Sequence, residues 1–467
     1  MDLSFDVAVI GGGSAGYAAA RTAVDKGLKT VVIEGGSEVG GLCILRGCMP
    51  TKALLYAAEV RHLARESNIW GLRVPSAPFD FPAVMARKNE LIADFAGYRQ
   101  EQLGDGRFEF IRSLARFEDS HTVTLADGRR LRADSFVIAT GSRVSPAPFP
   151  SLQTAGYLTS DSVLQLTELP ESIIVLGGGA IAVEFAQFFS RFDVRTTLIQ
   201  RSEQILRDFD ADAAAETTAA FRSEGLDVRT GTRLVNAERS PGGRKVTFEQ
   251  DGREHCVEAA EILFALGRSP ATDSLGLAAA GVETAANGRI ITNAYQQTST
   301  PHIYAAGDCC GPHEIVHIAI QQGELAARNL AGGTSPTAID YRLLTSVVFT
   351  DPQVAVVGLT EKQARAENIP YLAASHPFND HGKSMIMNIR HGFVKLLASP
   401  VDGRILGGCC VGPVGGELIH EIIVAMAAEM TVHQFAAIPH YHPTLAEIWT
   451  YPAEDLAEQI PLTPTDA

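Results

Sequence analysis

No stretch of the 467-residue chain is long and apolar enough to cross a bilayer; Ile173–Leu176 and Ile422–Ala428 fall far short of the roughly 18 residues a spanning helix needs. Basic charge is scarce as well. Lys and Arg number 39 against 54 Asp and Glu, a formal charge of −15, so no basic stripe exists to neutralise nucleic-acid phosphates. Small anionic ligands stay open, because helix N-termini and single arginines hold them. Low-complexity segments are missing, and so is a signal-peptide pattern: the chain runs almost at once into strand Val7–Ile10. Seven cysteines, an odd number, argue against a complete disulfide framework. A cytoplasmic location is expected. There a close cysteine pair means redox catalysis or metal binding more often than a staple.

What remains is ordinary globular composition, 46% hydrophobic and 20% charged, with material for several cores. Two strand–glycine-loop–helix units stand out. The first runs from strand Phe5–Ile10 through Gly11, Gly12, Gly13, Ser14, Ala15 and Gly16 into helix Tyr17–Lys26 and strand Thr30–Glu34. The second runs from strand Ser172–Leu176 through Gly177, Gly178, Gly179, Ala180, Ile181 and Ala182 into helix Val183–Arg191 and strand Thr196–Gln200. Each is a βαβ half of a doubly wound sheet, so two dinucleotide sites are expected. Glu34 ends its strand where a carboxylate accepts a hydrogen bond from a ribose 2′-hydroxyl. In the second unit Gln200 and Arg201 stand there and Arg207 follows. Two guanidiniums suit a 2′-phosphate, hence NADP(H) over NAD(H), unless both are merely solvated. From about Tyr341 strands Ser346–Phe349 and Phe393–Leu397 alternate with helices Glu361–Glu367 and Glu417–Glu429, a third α+β unit without a dinucleotide loop.

The segment from Gly40 to Lys52 carries Cys43 and Cys48. On a regular helix residues five apart lie about 7.5 Å apart along the axis. A disulfide needs Cα atoms within about 6.8 Å, so this pair closes only across a distorted turn. Gly47 and Pro50 supply the distortion, and a helix starting near Pro50 stabilises a Cys48 thiolate. The alternatives are two free thiols or half a zinc site. The vicinal Cys309-Cys310 and Cys409-Cys410 have the wrong spacing to complete that site and read as apolar fill. No metal site is expected.

This segment resembles the G-G-x-C-x-x-x-x-G-C-x-P-x-K signature of the class I pyridine nucleotide–disulfide oxidoreductases, which include glutathione, trypanothione and mercuric reductases and dihydrolipoamide dehydrogenase. The resemblance extends through Ala139-Thr140-Gly141-Ser142, Ala265–Pro270 with Gly267 and Arg268, Ile303–Asp308 with Gly307, Val348–Thr350 and His440–Glu447. It implies an α/β fold of two Rossmann-like dinucleotide-binding domains plus a C-terminal α+β dimerisation domain. FAD would be bound by residues 1–145 and 268–340, NAD(P)H by 146–267, and 341–467 would form the dimer interface. Gly41, Ala139, Thr140, Gly141, Gly307 and Asp308 join the first loop as cofactor-binding residues; Gly267 and Arg268 are a further cofactor-binding pair. The resemblance makes Cys43 the interchange thiol and Cys48 the thiol beside the flavin. Lys52, paired with Glu184, sits by flavin N5. His442, oriented by Glu447, acts as acid–base from the partner subunit of a homodimer.

Within the family Gly177–Glu184, Arg201, Arg207 and Arg21 resemble glutathione reductase, where the Arg21 position contacts a substrate carboxylate. Ile315–Ala319 with its central His317 resembles dihydrolipoamide dehydrogenase, and Ala180 replaces a common gating tyrosine. The expected reaction carries hydride from NADPH through FAD to the Cys43–Cys48 disulfide and on to a small disulfide, as in glutathione reductase. The alternatives are an NAD-dependent dihydrolipoamide dehydrogenase, a mercuric reductase-like or transhydrogenase flavoenzyme, and a non-catalytic redox sensor. Against mercuric reductase stand the retained His442 and the end Thr463–Ala467, which has no cysteine pair.

Overall fold

Strands made of Val, Ile and Ala with no polar face must be covered on both sides, and those of the first unit are. Val7–Ile10 and Thr30–Ile33 are all buried. The computed structural model describes residues 3–74, 76–332 and 335–461; the end segment Thr463–Ala467 lies outside them. In chain order the first unit comprises β1 (Leu3–Ile10), α1 (Ser14–Asp25), β2 (Thr30–Glu34), α2 (Gly41–Leu45), α3 (Cys48–Glu66) and α4 (Phe81–Leu103). After these come β3 (Glu109–Arg112), β4 (Ala115–Asp119), β5 (Thr122–Leu125) and β6 (Arg130–Ile138). β3, β2, β1 and β6 lie side by side in parallel. The early part of β6 pairs antiparallel with β5. Its last residues, Phe136–Ile138, instead take the distant strand Ile303–Ala305 in parallel. The chain therefore leaves this sheet after β6 and returns to it some 165 residues later, the difference between Ile303 and Ile138.

The second unit is a parallel sheet ordered Asp227–Arg229, Arg195–Ile199, Ser172–Leu176, Glu261–Phe264 and Leu158–Thr159. The third is a five-stranded antiparallel sheet, Thr345–Val348, Gln353–Gly358, Ile405–Gly412, Phe393–Ala398 and Leu372–Pro377. It packs against helices Gly415–Ala427 and Thr450–Gln459 around Ile422, Trp449 and Leu456.

Four helices begin earlier than the sequence predicts, among them Gly415–Ala427, expected from Glu417. Helix α1 begins at Ser14 and the second-unit helix at Ala180, directly behind Gly13 and Gly179, because those glycines are themselves the caps. Helix α3 begins at Cys48, not Pro50. Proline is tolerated there because the first turn has no intrahelical acceptors for its N–H groups.

A single apolar cluster links the units. Leu54 of α3, Phe185 and Phe188 of helix Ala180–Arg191, and Val354 and Val411 of the antiparallel sheet share it. Fully burying each such side chain stabilises by roughly 1.5–3 kcal/mol. The start of α3 is thereby fixed against both neighbouring units.

Candidate functional site

The break between α2 and α3 is where the two cysteines meet. Arg46 and Gly47 leave helical geometry, with Gly47 at φ −128°, ψ −116°. A Cβ on Gly47 would lie 3.0 Å from the carbonyl oxygen of Leu42 and 3.2 Å from the Cα of Cys43. The chain doubles back tightly enough to bring the thiols together. Both are free, partly buried and hydrogen-bonded to one another. The Cys43 thiol donates, which pushes its own pKa up and lowers that of Cys48 to about 7. The nearby Lys52 ammonium lowers Cys48 further, while burial opposes both effects. As the first residue of α3, Cys48 also faces that helix's free N–H groups.

One turn further, Lys52 Nζ bonds both oxygens of Glu184 at 3.0 and 2.9 Å. Glu184 is buried and also accepts the backbone N–H of Phe349 at 2.9 Å. The Phe349 ring lies under the ammonium, 4.6 Å from its centroid. The structure therefore joins Lys52 and Glu184 as the family resemblance implies and adds Phe349.

The glycine loop after β1 forms a bare backbone cradle. Gly11 has φ +108°, and a Cβ there would stand 2.3 Å from the carbonyl oxygen of Ala139. Gly41, at φ +73°, would meet the Cα of Gly13 at 2.6 Å. Gly13 caps α1 without any side-chain bond, which leaves the N–H groups of Ser14, Ala15 and Gly16 for an anion. Glu34 turns back on the loop and accepts the N–H groups of Gly12 and Gly36, each at 2.7 Å. Gly307 packs against Ala15. Ser142 donates to Asp308 at 2.7 Å and accepts from Arg268 Nε at 2.8 Å. Gly267 accepts the N–H of Ser145. Gly267 and Arg268 thus lie with Gly141 and Asp308 at this first cradle. The buried Thr140 Oγ1 has no partner among the described residues. A bare anion cradle with an unpaired hydroxyl at its wall fits the diphosphate of FAD.

The second cradle repeats the first. Gly177 has φ +120° and faces Ala265, while Gly179 caps the helix and has open space beside it, with Ala180 and Ile181 next. The difference lies at the adjoining strand end. Gln200 fills the position of Glu34, packing on Gly178, and Arg201 and Arg207 are exposed. Arg207 has one loose ion pair, 3.5 Å to Asp208.

His442 stands out from the third unit, its side chain 77% exposed. Its Nδ1 lies 3.1 and 3.0 Å from the two oxygens of Glu447. A carboxylate only accepts, so Nδ1 carries a proton and Nε2 is left outward to exchange one. Behind this pair stands a residue that no sequence motif marks. Buried His381 places Nε2 3.1 Å from Glu447 and Nδ1 2.7 Å from Ser384 Oγ. By the same rule Nε2 donates to Glu447 and Nδ1 accepts from Ser384. Burial lowers the pKa of His381, holding it neutral, though Glu447 opposes this. One carboxylate thus serves two imidazoles, and no spacing rule connects positions 381 and 447.

Arg21, a candidate substrate contact, is held by Glu324 at 2.6 Å, and Arg46 is exposed. The vicinal cysteines are buried, as expected of apolar fill, with burial raising Cys409 to about 12. Beyond Lys52 a cavity of about 870 Å³ opens beside α3, lined by neither redox cysteine. There His62, Glu224 and Asp351 bring ligand atoms within 4.8 Å. Arg191 already bonds both carboxylates, at 2.7 and 2.6 Å.

Two dinucleotide cradles with a thiol pair beside the first, its Cys48 acidified, define a dithiol oxidoreductase that works through two cofactors. The pyridine nucleotide-disulphide oxidoreductase model matches residues 5–323 and that family's dimerisation domain matches 344–453. The chain belongs to this family: it is an FAD-dependent disulfide oxidoreductase that uses a pyridine nucleotide and forms a homodimer. Dihydrolipoyl dehydrogenase of Geobacillus stearothermophilus is 34% identical over 96% of this chain and 95% of its own. Mercuric reductase of Bacillus cereus is 33% identical over 95% of this chain and 70% of its own. Among solved structures, the HOCl-induced flavoprotein disulfide reductase RclA from Escherichia coli superposes with a TM-score of 0.85. It is 25% identical, over 96% of this chain and 99% of that one.

Proposed function

We propose that the enzyme oxidises NADPH and reduces a low-molecular-weight disulfide, in the manner of glutathione reductases, at Cys43 and Cys48. The observation that carries this reading is the acidified Cys48 at the head of α3, bonded to Cys43 and one turn from the Lys52–Glu184 pair. FAD, when bound, supplies the two-electron relay between nicotinamide and cysteine pair. Gly11, Gly13, Ser14, Ala15, Gly16, Glu34, Gly41, Ala139, Thr140, Gly141, Gly307 and Asp308 would hold it. Gly177, Gly179, Ala180 and Ile181 would hold the nucleotide. The absence of a carboxylate at Gln200, with Arg201 and Arg207 exposed nearby, supports a 2′-phosphate.

In the reduced enzyme the outward Nε2 of the partner subunit's His442 takes the proton of the Cys43 thiol, and the Cys43 thiolate attacks one sulfur of the substrate disulfide. A mixed disulfide forms, and the leaving thiolate takes a proton from His442 of the partner subunit. The Cys48 thiolate then attacks Cys43, releasing the second thiolate and restoring the Cys43–Cys48 disulfide. The sum is one NADPH, one proton and one disulfide giving NADP⁺ and two thiols. The outward Nε2 of His442 and its exposure support a role across the dimer.

A second reading, NAD-dependent dihydrolipoamide oxidation, is favoured by the dihydrolipoyl dehydrogenase relatives. Steady-state rates with NADPH and NADH against glutathione disulfide, lipoamide and Hg(II) separate the two. Turnover of lipoamide with NADH alone would replace the first reading by the second.

A further inference from the structure

Three arginines gather around Tyr17 on the α1 side of the cysteine segment. Arg107 donates to the Tyr17 hydroxyl at 2.9 Å and pairs with Asp105 at 2.7 Å. Arg21, one turn along α1 from Tyr17, is paired with Glu324. Arg99, in the last turns of α4, stacks its guanidinium 4.4 Å from the Tyr17 ring centroid. Its Nε and Nη1 are buried and have no hydrogen-bond partner among the described residues. A guanidinium has five donors and its charge cannot be removed at physiological pH, so half-buried Arg99, with two shielded donors and no carboxylate, has an unmet demand for an anion.

The position of that demand is informative. Helix α2, which carries Cys43, packs on α4, and the charge of Arg99 is close enough to interact with a Cys43 thiolate. Burial, the main influence, lowers the pKa of Arg99, and neighbouring Arg21 lowers it further. The two other guanidiniums already have carboxylates, leaving Arg99 alone open to an incoming ligand. Tyr17 supplies a flat aromatic support that fixes the guanidinium plane.

We propose that Arg99 is the specificity-determining residue of the disulfide site, binding a carboxylate on the molecule that Cys43 attacks. This rests on the reading of Cys43 as the attacking thiol and narrows its substrate to anionic disulfides.

The test separates Arg99 from the identity of the natural substrate by using two alkylating agents that differ only in charge. Holoenzyme is reduced, freed of excess reductant, and treated with iodoacetate or iodoacetamide. In each case the Cys43 thiolate forms a carbon–sulfur bond and iodide departs. The rate of modification at Cys43 is followed by peptide mass spectrometry. In wild type the ratio of iodoacetate to iodoacetamide rates should exceed that in Arg99→Gln by about tenfold, as losing a charge-assisted pair implies. Arg99→Lys, which keeps the charge but not the fork, should fall between. An unchanged ratio in Arg99→Gln overturns the proposal, as does loss of FAD from Arg99→Gln and Arg99→Lys, which would assign the guanidinium to the cofactor. Failure of the wild type to reduce any disulfide would instead overturn the proposed reaction, while the alkylation ratio would still decide the role of Arg99.

Discussion

Replacing Cys43 by alanine should make Cys48 markedly less acidic. The Cys48 thiol sits at about 7, against an ordinary 9.0, and the largest cause is the hydrogen bond it receives from Cys43. At about 1.4 kcal/mol per pH unit, the thiolate is favoured by roughly 2–3 kcal/mol. Alanine removes the leading contribution and leaves burial, which opposes ionisation, against the Lys52 ammonium, which assists it. The midpoint should therefore rise by about one pH unit or more. At pH 7.5 the ionised fraction would drop from about three quarters to about one quarter. Cys43→Ser, whose hydroxyl still donates, should stay near 7. Neither variant can form the disulfide, so the long-wavelength absorbance of a Cys48 thiolate beside oxidised flavin reads the midpoint directly in holoenzyme. The sign follows: the thiolate exists above its midpoint, so disulfide reduction by wild type should fall as the pH drops through about 7. If alanine and serine variants titrate together, or both titrate near 9, the bond from Cys43 is not what acidifies Cys48.

Arg201→Ala combined with Arg207→Ala should raise the KM for NADPH by roughly two decades, two charge-assisted bonds discounted for their exposure to salt. The KM for NADH should barely move, and a wild type that already prefers NADH would refute the assignment. Mixing inactive Cys43→Ser with inactive His442→Ala subunits should recover part of the activity once exchange is demonstrated; no recovery would mean that each chain completes its own site. His381→Phe should lower kcat for disulfide reduction about tenfold and displace the pH–rate profile, with nucleotide KM unchanged. His381→Asn, still a donor to Glu447, should restore both. Equal losses in the two variants with an unmoved profile would reduce His381 to packing.

The features legible in the sequence are those that act within a few positions. Glycine loops at Gly11 and Gly177 and the Cys43–Cys48 spacing are local patterns that fix their own backbone, while the His442–Glu447 pair, though only five positions in span, is pointed to by the family resemblance. The Lys52–Glu184 pair joins residues 132 positions apart, and only the family resemblance points to it. His381 and Arg99 are not legible, because their importance lies in what they face across the fold. His381 meets Glu447 only once the antiparallel sheet brings 381 beside 447, and Arg99 is unusual only for the carboxylate it lacks. The early helix starts escape the sequence for a similar reason. Apolar periodicity marks where a helix packs, whereas its first turn is set by backbone groups that leave no periodic trace.

Glu184 is one buried carboxylate on which three stretches of chain converge: the helix of Cys48 through Lys52, its own helix behind the second cradle, and the third unit, which carries His442, through the N–H of Phe349. Such a junction leaves little freedom for the two cradles to swing apart, since separating them strips a charged group of every partner at once. Nicotinamide must then come and go through a standing doorway rather than a closing jaw. The pace of turnover would be governed by what diffuses through that opening and by proton movements at the sulfurs, with no rearrangement of whole domains between one cycle and the next.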